Sequence, residues 1–84
     1  MRLTIYSKPG CHLCDVMKTT VHRVLATRTA EPETVLDEID ISSDPALIEL
    51  YGLEIPVLLI DGRKAAKYRV SEQELTQLLD RRRG

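Results

Sequence analysis

Phenylalanine and tryptophan are absent from this 84-residue chain, and three tyrosines are its only aromatic residues. A core without large aromatic rings has to be built from aliphatic side chains, and the 43% hydrophobic content is enough for one small domain. Long apolar runs are also missing. The longest, Ile55 to Ile60, falls far short of the roughly 20 residues a membrane-spanning helix needs. Charge of one sign is not in excess either: 12 basic against 13 acidic residues leave a net charge of -1, which removes any global pull toward nucleic acid or anionic membrane. The chain enters a strand pattern almost at once, so no export signal is expected, and it carries no repeat or linker. These absences predict a single domain over residues 1–84, a cytoplasmic location, and no nucleic-acid or membrane partner.

Cysteine is as scarce, but its two copies fall together in Cys11-His12-Leu13-Cys14, where a strand pattern gives way to a helical one. A disulfide closing so short a loop would stabilise the fold by only roughly 2 kcal/mol, against about 4.7 for a loop of 100 residues. The spacing suits a pair that opens and closes better than a structural staple. At a helix start, unpaired N–H groups and roughly half a positive charge of macrodipole favour thiolate over thiol, and the thiolate is the nucleophile. In a reducing compartment such a pair stays available for chemistry. Metal binding needs further ligands that the chain does not offer: His22 lies about 12 Å along the helix from Cys14.

Leu3 and Ile5 alternate with Thr4 and Tyr6, which predicts a strand over Arg2 to Ser7 that Lys8-Pro9-Gly10 breaks. From Leu13, the apolar residues Val16, Met17, Val21, Val24 and Leu25 form one wide helical face ending before Pro32. Cys14 borders that face and Cys11 points away from it, so Cys11 is the expected attacker and Cys14 the partly covered resolver. Val35 to Ile41 reads as a second strand, and its acidic residues Asp37, Glu38 and Asp40 favour a sheet edge. Asp44 and Pro45 open a short helix with Leu47, Ile48 and Tyr51 inward, and Gly52 is the expected left-handed residue at its end. Ile55 to Ile60 is the most apolar strand, with Pro56 near its start, and Asp61-Gly62 predicts a hairpin to Arg63 through Tyr68. Ser71 and Glu74 form a capping box, with Val70 and Leu75 as a hydrophobic staple, for a last helix that turns Leu75, Leu78 and Leu79 inward. The order β α β α β β α with short connections is an α/β fold: a four-stranded mixed sheet flanked by three helices.

The stretch from Ile5 through Ser7-Lys8-Pro9-Gly10 to Cys14, followed by Ile55-Pro56-Val57 and Asp61-Gly62, resembles the glutaredoxin family of the thioredoxin-like fold. The resemblance covers most of the chain and is to a divergent branch. It implies a thiol-disulfide oxidoreductase with Cys11 as nucleophile, Cys14 as resolving thiol and Pro56 as a cis-proline facing the dithiol. A cis bond there would expose the backbone of Ile55 for strand-like pairing with a substrate. Three positions depart from the family. His12-Leu13 stands where proline and an aromatic residue are usual, and Glu54 stands where threonine is common, adding a negative charge near the groove. Lys67-Tyr68-Arg69-Val70-Ser71 lacks the paired glycines and following acidic residue that usually hold glutathione. The expectation is therefore a protein disulfide as substrate, an unidentified reductant, no resident cofactor, poor use of glutathione, and a monomer.

Lys8, His12, Ile55, Pro56 and Arg69 are the expected substrate contacts. Lys8 admits two readings, a cation that favours the Cys11 thiolate or a solvated loop lysine, and His12 likewise is a proton shuttle or an exposed helix-start residue. Arg81 to Arg83 match the preference for cations at a helix C-terminus and need no nucleic acid. A second class of function stays open: a non-enzymatic module that uses the same groove to bind a protein or, as a bridged dimer, an iron-sulfur cluster.

Overall fold

Alternating apolar residues make β1 (Arg2–Ser7), and the computed structural model places it inside a four-stranded sheet of order β2-β1-β3-β4. The structure describes residues 1–28 and 34–83. Because β1 is an inner strand, both its faces are covered: Thr4 and Ser7 are buried along with Leu3 and Ile5. β2 (Val35–Asp40) runs parallel to β1 at one edge, with Leu3 opposite Leu36 and Ser7 opposite Asp40. The acidic strand thus takes the edge its charges call for. β3 (Val57–Ile60) pairs antiparallel with β1 on the other side, and β4 (Arg63–Lys67) closes the sheet. Positive φ angles of 50° at Asp61 and 84° at Gly62 make the two-residue hairpin turn between them. Leu58 pairs with Ala66 and Leu59 with Lys64, which leaves Ala65 as the extra residue of a bulge.

α1 (His12–Ala26) buries Cys14, Met17, Val21 and Val24, one stripe at helical spacing, and the last three pack into one core with Leu3, Ile5, Leu58 and Ile60. Val16, expected on this face, is 45% exposed, since Arg23 and Arg28, which pair with the last helix, lie further along the chain. α1 ends at Ala26, ahead of Pro32, which lies outside the described residues. α3 (Glu72–Arg83) adds Leu75 and Leu79 to the same core, and its capping box is formed as the sequence predicts. The Ser71 hydroxyl accepts from the Glu74 N–H at 3.0 Å, and the Glu74 carboxylate accepts from the Ser71 N–H at 3.2 Å. A salt bridge of 3.0 Å from Arg28 to Asp80 ties the end of α1 to α3.

α2 (Pro45–Tyr51) departs most from expectation. Asp44 caps it, accepting from the N–H groups of Ala46 and Leu47. None of its residues is buried, and Ile48 is 45% exposed rather than inward. What holds it is Tyr51, whose ring stacks on Tyr6 of β1 at 4.6 Å between centroids and 16° between planes. Gly52 is right-handed (φ -55°, ψ -31°), not left-handed, because the chain keeps turning: its N–H donates to Ile48 at 2.8 Å, and Glu54 then donates to Tyr51. Close approach is what Gly52 serves, since an added Cβ would meet the Ile48 carbonyl oxygen at 2.5 Å.

Candidate active site

Strand directions gather the predicted site at one end of the sheet. β1 ends at Ser7 and leads through Lys8-Pro9-Gly10 into α1. β3 starts at the same end, with Val57 opposite Tyr6, so Ile55-Pro56 enters beside the loop that carries Cys11. Lys67 pairs with Val57, which brings the Tyr68-Arg69 turn to that end as well. Residues more than 40 positions apart in sequence converge here for this reason alone.

Cys11 and Cys14 are joined in a disulfide with their Cα atoms 5.2 Å apart. Cys11 is the N-cap residue of α1, in extended conformation (φ -86°, ψ 106°), rather than a member of its first turn. Its Sγ accepts a hydrogen bond from the Cys14 N–H at 3.1 Å, the place a serine or aspartate oxygen fills in ordinary caps. Gly10, at φ 77°, makes the turn that presents it. Cys14 is 2% exposed, whereas Cys11 is only half-buried. One sulfur is therefore open to a partner and the other is screened, which is the asymmetry that attack followed by resolution requires.

Ile55-Pro56 is a cis peptide bond. The Pro56 carbonyl is occupied by the Tyr68 N–H at 2.8 Å, and among the described residues neither the N–H nor the carbonyl of half-buried Ile55 has a backbone partner. That leaves Ile55 with one free donor and one free acceptor at the end of the sheet that carries the dithiol. Tyr68 itself is left-handed at φ 66°, a costly geometry for a ring-bearing residue, and its hydroxyl donates to the Leu53 carbonyl at 3.0 Å. The two bonds clamp the turn after β4 to the loop before β3. No glycine or asparagine marks Tyr68 for this conformation, so sequence reading had no signal for it.

The remaining expected contacts split between two sides. Lys8 lines a cleft of about 190 Å³ on the Cys14 side, with Asp15, Glu38 and Asp40. Glu38 is paired there with Lys18, and hydrogen bonding from Ser42 holds the Asp40 carboxyl below the usual carboxylate range. His12 and Arg69 line a separate, larger groove of about 420 Å³ between α1 and the β4–α3 connection. Glu54 does not act as a bare negative charge near the groove: Lys64 pairs with it. The Lys64 hydrogen bond pushes the Glu54 carboxyl down, and the same bond pushes the Lys64 ammonium up. Lys64 also lies 5.9 Å over the Tyr51 ring.

A family described as "Glutaredoxin-like domain (DUF836)" matches residues 2–80. The chain belongs to this glutaredoxin-like family. Among solved structures it is similar to target protein XcR50 of X. campestris. The X-ray structure of that protein is 32% identical over 94% of this chain and 96% of the other, with a TM-score of 0.68. Its solution structure is 30% identical, with a TM-score of 0.74, over 96% and 95%. Thioredoxin 1 of Thermosipho africanus covers 100% of both chains at a TM-score of 0.60 but only 11% identity, a likeness of fold alone. No curated protein matches. The glutaredoxin-like chain thus has the thioredoxin-like fold expected from its motifs. No described helix is long and apolar enough to cross a membrane.

Proposed function

We propose that this glutaredoxin-like protein is a thiol-disulfide oxidoreductase acting as a monomer on protein disulfides in the cytoplasm. The observation that carries the reading is the half-buried Cys11 sulfur at the N-cap of α1, bonded to a Cys14 that is 2% exposed. In the reduced protein the Cys11 thiolate attacks one sulfur of a substrate disulfide. The substrate S–S bond breaks, and its other sulfur leaves as a thiolate that takes up a proton. Cys14 gives up its proton and attacks the Cys11 sulfur of the mixed disulfide, releasing the second substrate thiol and closing the Cys11–Cys14 bridge. Two electrons pass to the substrate, and an external dithiol reductant restores the starting state. Ile55, with its free N–H and carbonyl, offers strand-like pairing to the substrate backbone next to Pro56, and Lys8, His12 and Arg69 flank the bound chain.

Glutathione is a poor substrate in this reading. Its two carboxylates need donors from a turn that a ligand can approach closely, and here Tyr68 fills that turn. Arg69 and Lys8 offer cations, but in two separate clefts. Trapping tests the function directly. A Cys14→Ser protein cannot resolve its mixed disulfide, so cell extract passed over it should leave specific proteins bound through Cys11 and released by a reductant. Absence of any reductant-released protein, with Cys11 still titrating as a free thiol, refutes the reading. Efficient, saturable deglutathionylation of a peptide would overturn the glutathione part alone.

A further inference from the structure

Resolution has Cys14 give up a proton while it is 2% exposed, so the proton needs a route out. Cys14 lines the polar cleft of about 190 Å³ together with Ser7, Lys8, Asp15, Glu38 and Asp40, whereas Cys11, Ile55 and Pro56 do not line it. Proton exit there does not compete with a substrate held on those three residues. Ser7, at the end of β1, is 6% exposed and lies on the same strand face as Leu3 and Ile5, which share a core with Met17 and Val21 of α1. Buried hydroxyls are ordinarily hydrogen-bonded, but that of Ser7 has no partner among the described residues. No described side-chain oxygen or nitrogen that is sealed from solvent goes without a partner, so the Ser7 hydroxyl opens onto the cleft it lines. Across the parallel pairing Ser7 stands opposite Asp40, an exposed residue whose carboxylate accepts from the Ser42 N–H at 2.8 Å with lone pairs to spare. Cys14, Ser7 and Asp40 thus lead from a buried sulfur to the surface along one cleft.

We propose that Ser7 relays the Cys14 proton to the Asp40 carboxylate during the resolving step. The proposal rests on the oxidoreductase reading and supplies the proton path that its resolving step requires. In the mixed disulfide the Cys14 S–H bond breaks as its proton passes to the Ser7 oxygen, and the Ser7 O–H proton passes to Asp40 and on to solvent. The Cys14 thiolate attacks the Cys11 sulfur, the bond from Cys11 to the substrate sulfur breaks, and that sulfur leaves with the electron pair. No oxidant or reductant beyond the disulfide enters. The other charges that face the cleft do not take the place of Asp40. Glu38 is paired with Lys18, and Asp15 lies on α1 rather than opposite Ser7 in the sheet. Lys8, from the loop after β1, has no acceptor to offer and as a cation favours the Cys14 thiolate as it forms.

The symmetric disulfide of thionitrobenzoate, mixed with an excess of the reduced full-length protein, separates the two steps. Attack by Cys11 releases the first coloured thiolate at a rate that follows protein concentration, and attack by Cys14 on the mixed disulfide releases the second at a rate that does not. Ser7→Ala should leave the first release unchanged and slow the second roughly tenfold at about pH 6.5. That is less than the roughly 10²–10⁴ of a direct general base, because water entering the cleft carries part of the flux. At about pH 10, well above the ordinary thiol range, the proton leaves without help and the two proteins should converge. Ser7→Thr, which keeps the hydroxyl, should restore the neutral rate, and Asp40→Ala should repeat the Ser7→Ala profile. A Ser7→Ala protein that resolves at the wild-type rate throughout overturns the relay, as does one slowed equally at every pH, the mark of a packing defect. A wild-type neutral rate in Asp40→Ala, or no rescue by Ser7→Thr, overturns it too. Each of these results leaves the oxidoreductase reading standing. No second release from the wild-type protein refutes that reading, and the relay with it.

Discussion

Removing a single backbone N–H should blunt the reactivity of Cys11. In the structure, the Cys14 N–H donates to the Cys11 Sγ at 3.1 Å, and the donor belongs to the main chain rather than to the cysteine side chain. Cys14→Ser keeps that donor, whereas Cys14→Pro deletes it, and both leave Cys11 as the only thiol. Proline at this place breaks no intrahelical hydrogen bond, because the first four N–H groups of a helix have no carbonyl partner within it. The macrodipole, worth about 0.3–1 kcal/mol, is common to both variants. The difference between them is therefore one hydrogen bond to a charged group, about 1.5–3 kcal/mol, or a change of roughly 10- to 150-fold in the thiolate-to-thiol ratio. The assay is the rate of iodoacetamide alkylation from pH 5 to pH 9, with circular dichroism to verify that α1 is intact. The proline variant should reach half-maximal rate at distinctly more alkaline pH than the serine variant. Superimposable profiles from two folded variants would refute the capping argument and move the cause of any Cys11 reactivity to side chains such as Lys8 or His12.

In the reduced wild-type protein, alkylation at neutral pH should label Cys11 before Cys14, because Cys14 is 2% exposed; mass spectrometry of the singly labelled species decides it. Ser71→Ala removes the acceptor for the Glu74 N–H and should cost about 1 kcal/mol in urea unfolding, with no effect beyond error counting against the capping box. Tyr51→Ala should remove about 0.5–1.5 kcal/mol of ring-pair energy beyond lost burial and speed amide exchange in α2 before the sheet, since Tyr51 is the chief anchor of a helix without buried residues. Hydrogen bonding by Lys64 lowers the folded Glu54 carboxyl, so its contribution to stability is present above the ordinary carboxylate range and is lost as pH falls through the folded value. Lys64 is raised, so its share is present below the ordinary ammonium range and lost as pH rises through its own folded value. Glu54→Gln should accordingly flatten the acid limb of the stability-pH curve, and an acid limb identical to that of the wild type would show that the pair contributes nothing.

Local chemistry was legible in the residues themselves. The strand at Arg2–Ser7, the cap at Asp44, the turn at Asp61-Gly62 and the capping box at Ser71 and Glu74 each follow from a few neighbouring side chains and backbone preferences, and each forms as read. The dithiol at a helix start belongs to the same class, because its spacing and its setting are both local. The errors share one cause. Periodicity points Val16 and Ile48 inward and position suggests a left-handed Gly52, but periodicity states only which residues share a face. Whether another element covers that face depends on where distant segments pack. α3 pairs with Arg23 and Arg28, further along the chain, and leaves Val16 45% exposed, and Ile48 is as exposed on a helix none of whose residues is buried. The left-handed turn at Tyr68 is likewise unreadable locally, since the bonds that hold it come from Pro56 and Leu53, 12 and 15 positions away. So the sequence alone determined the strands, the caps and the reactive pair. The groove beside the dithiol, the neutralised Glu54 and the exposed backbone of Ile55 were decided only by tertiary structure, because each depends on contacts between segments that the chain order keeps apart.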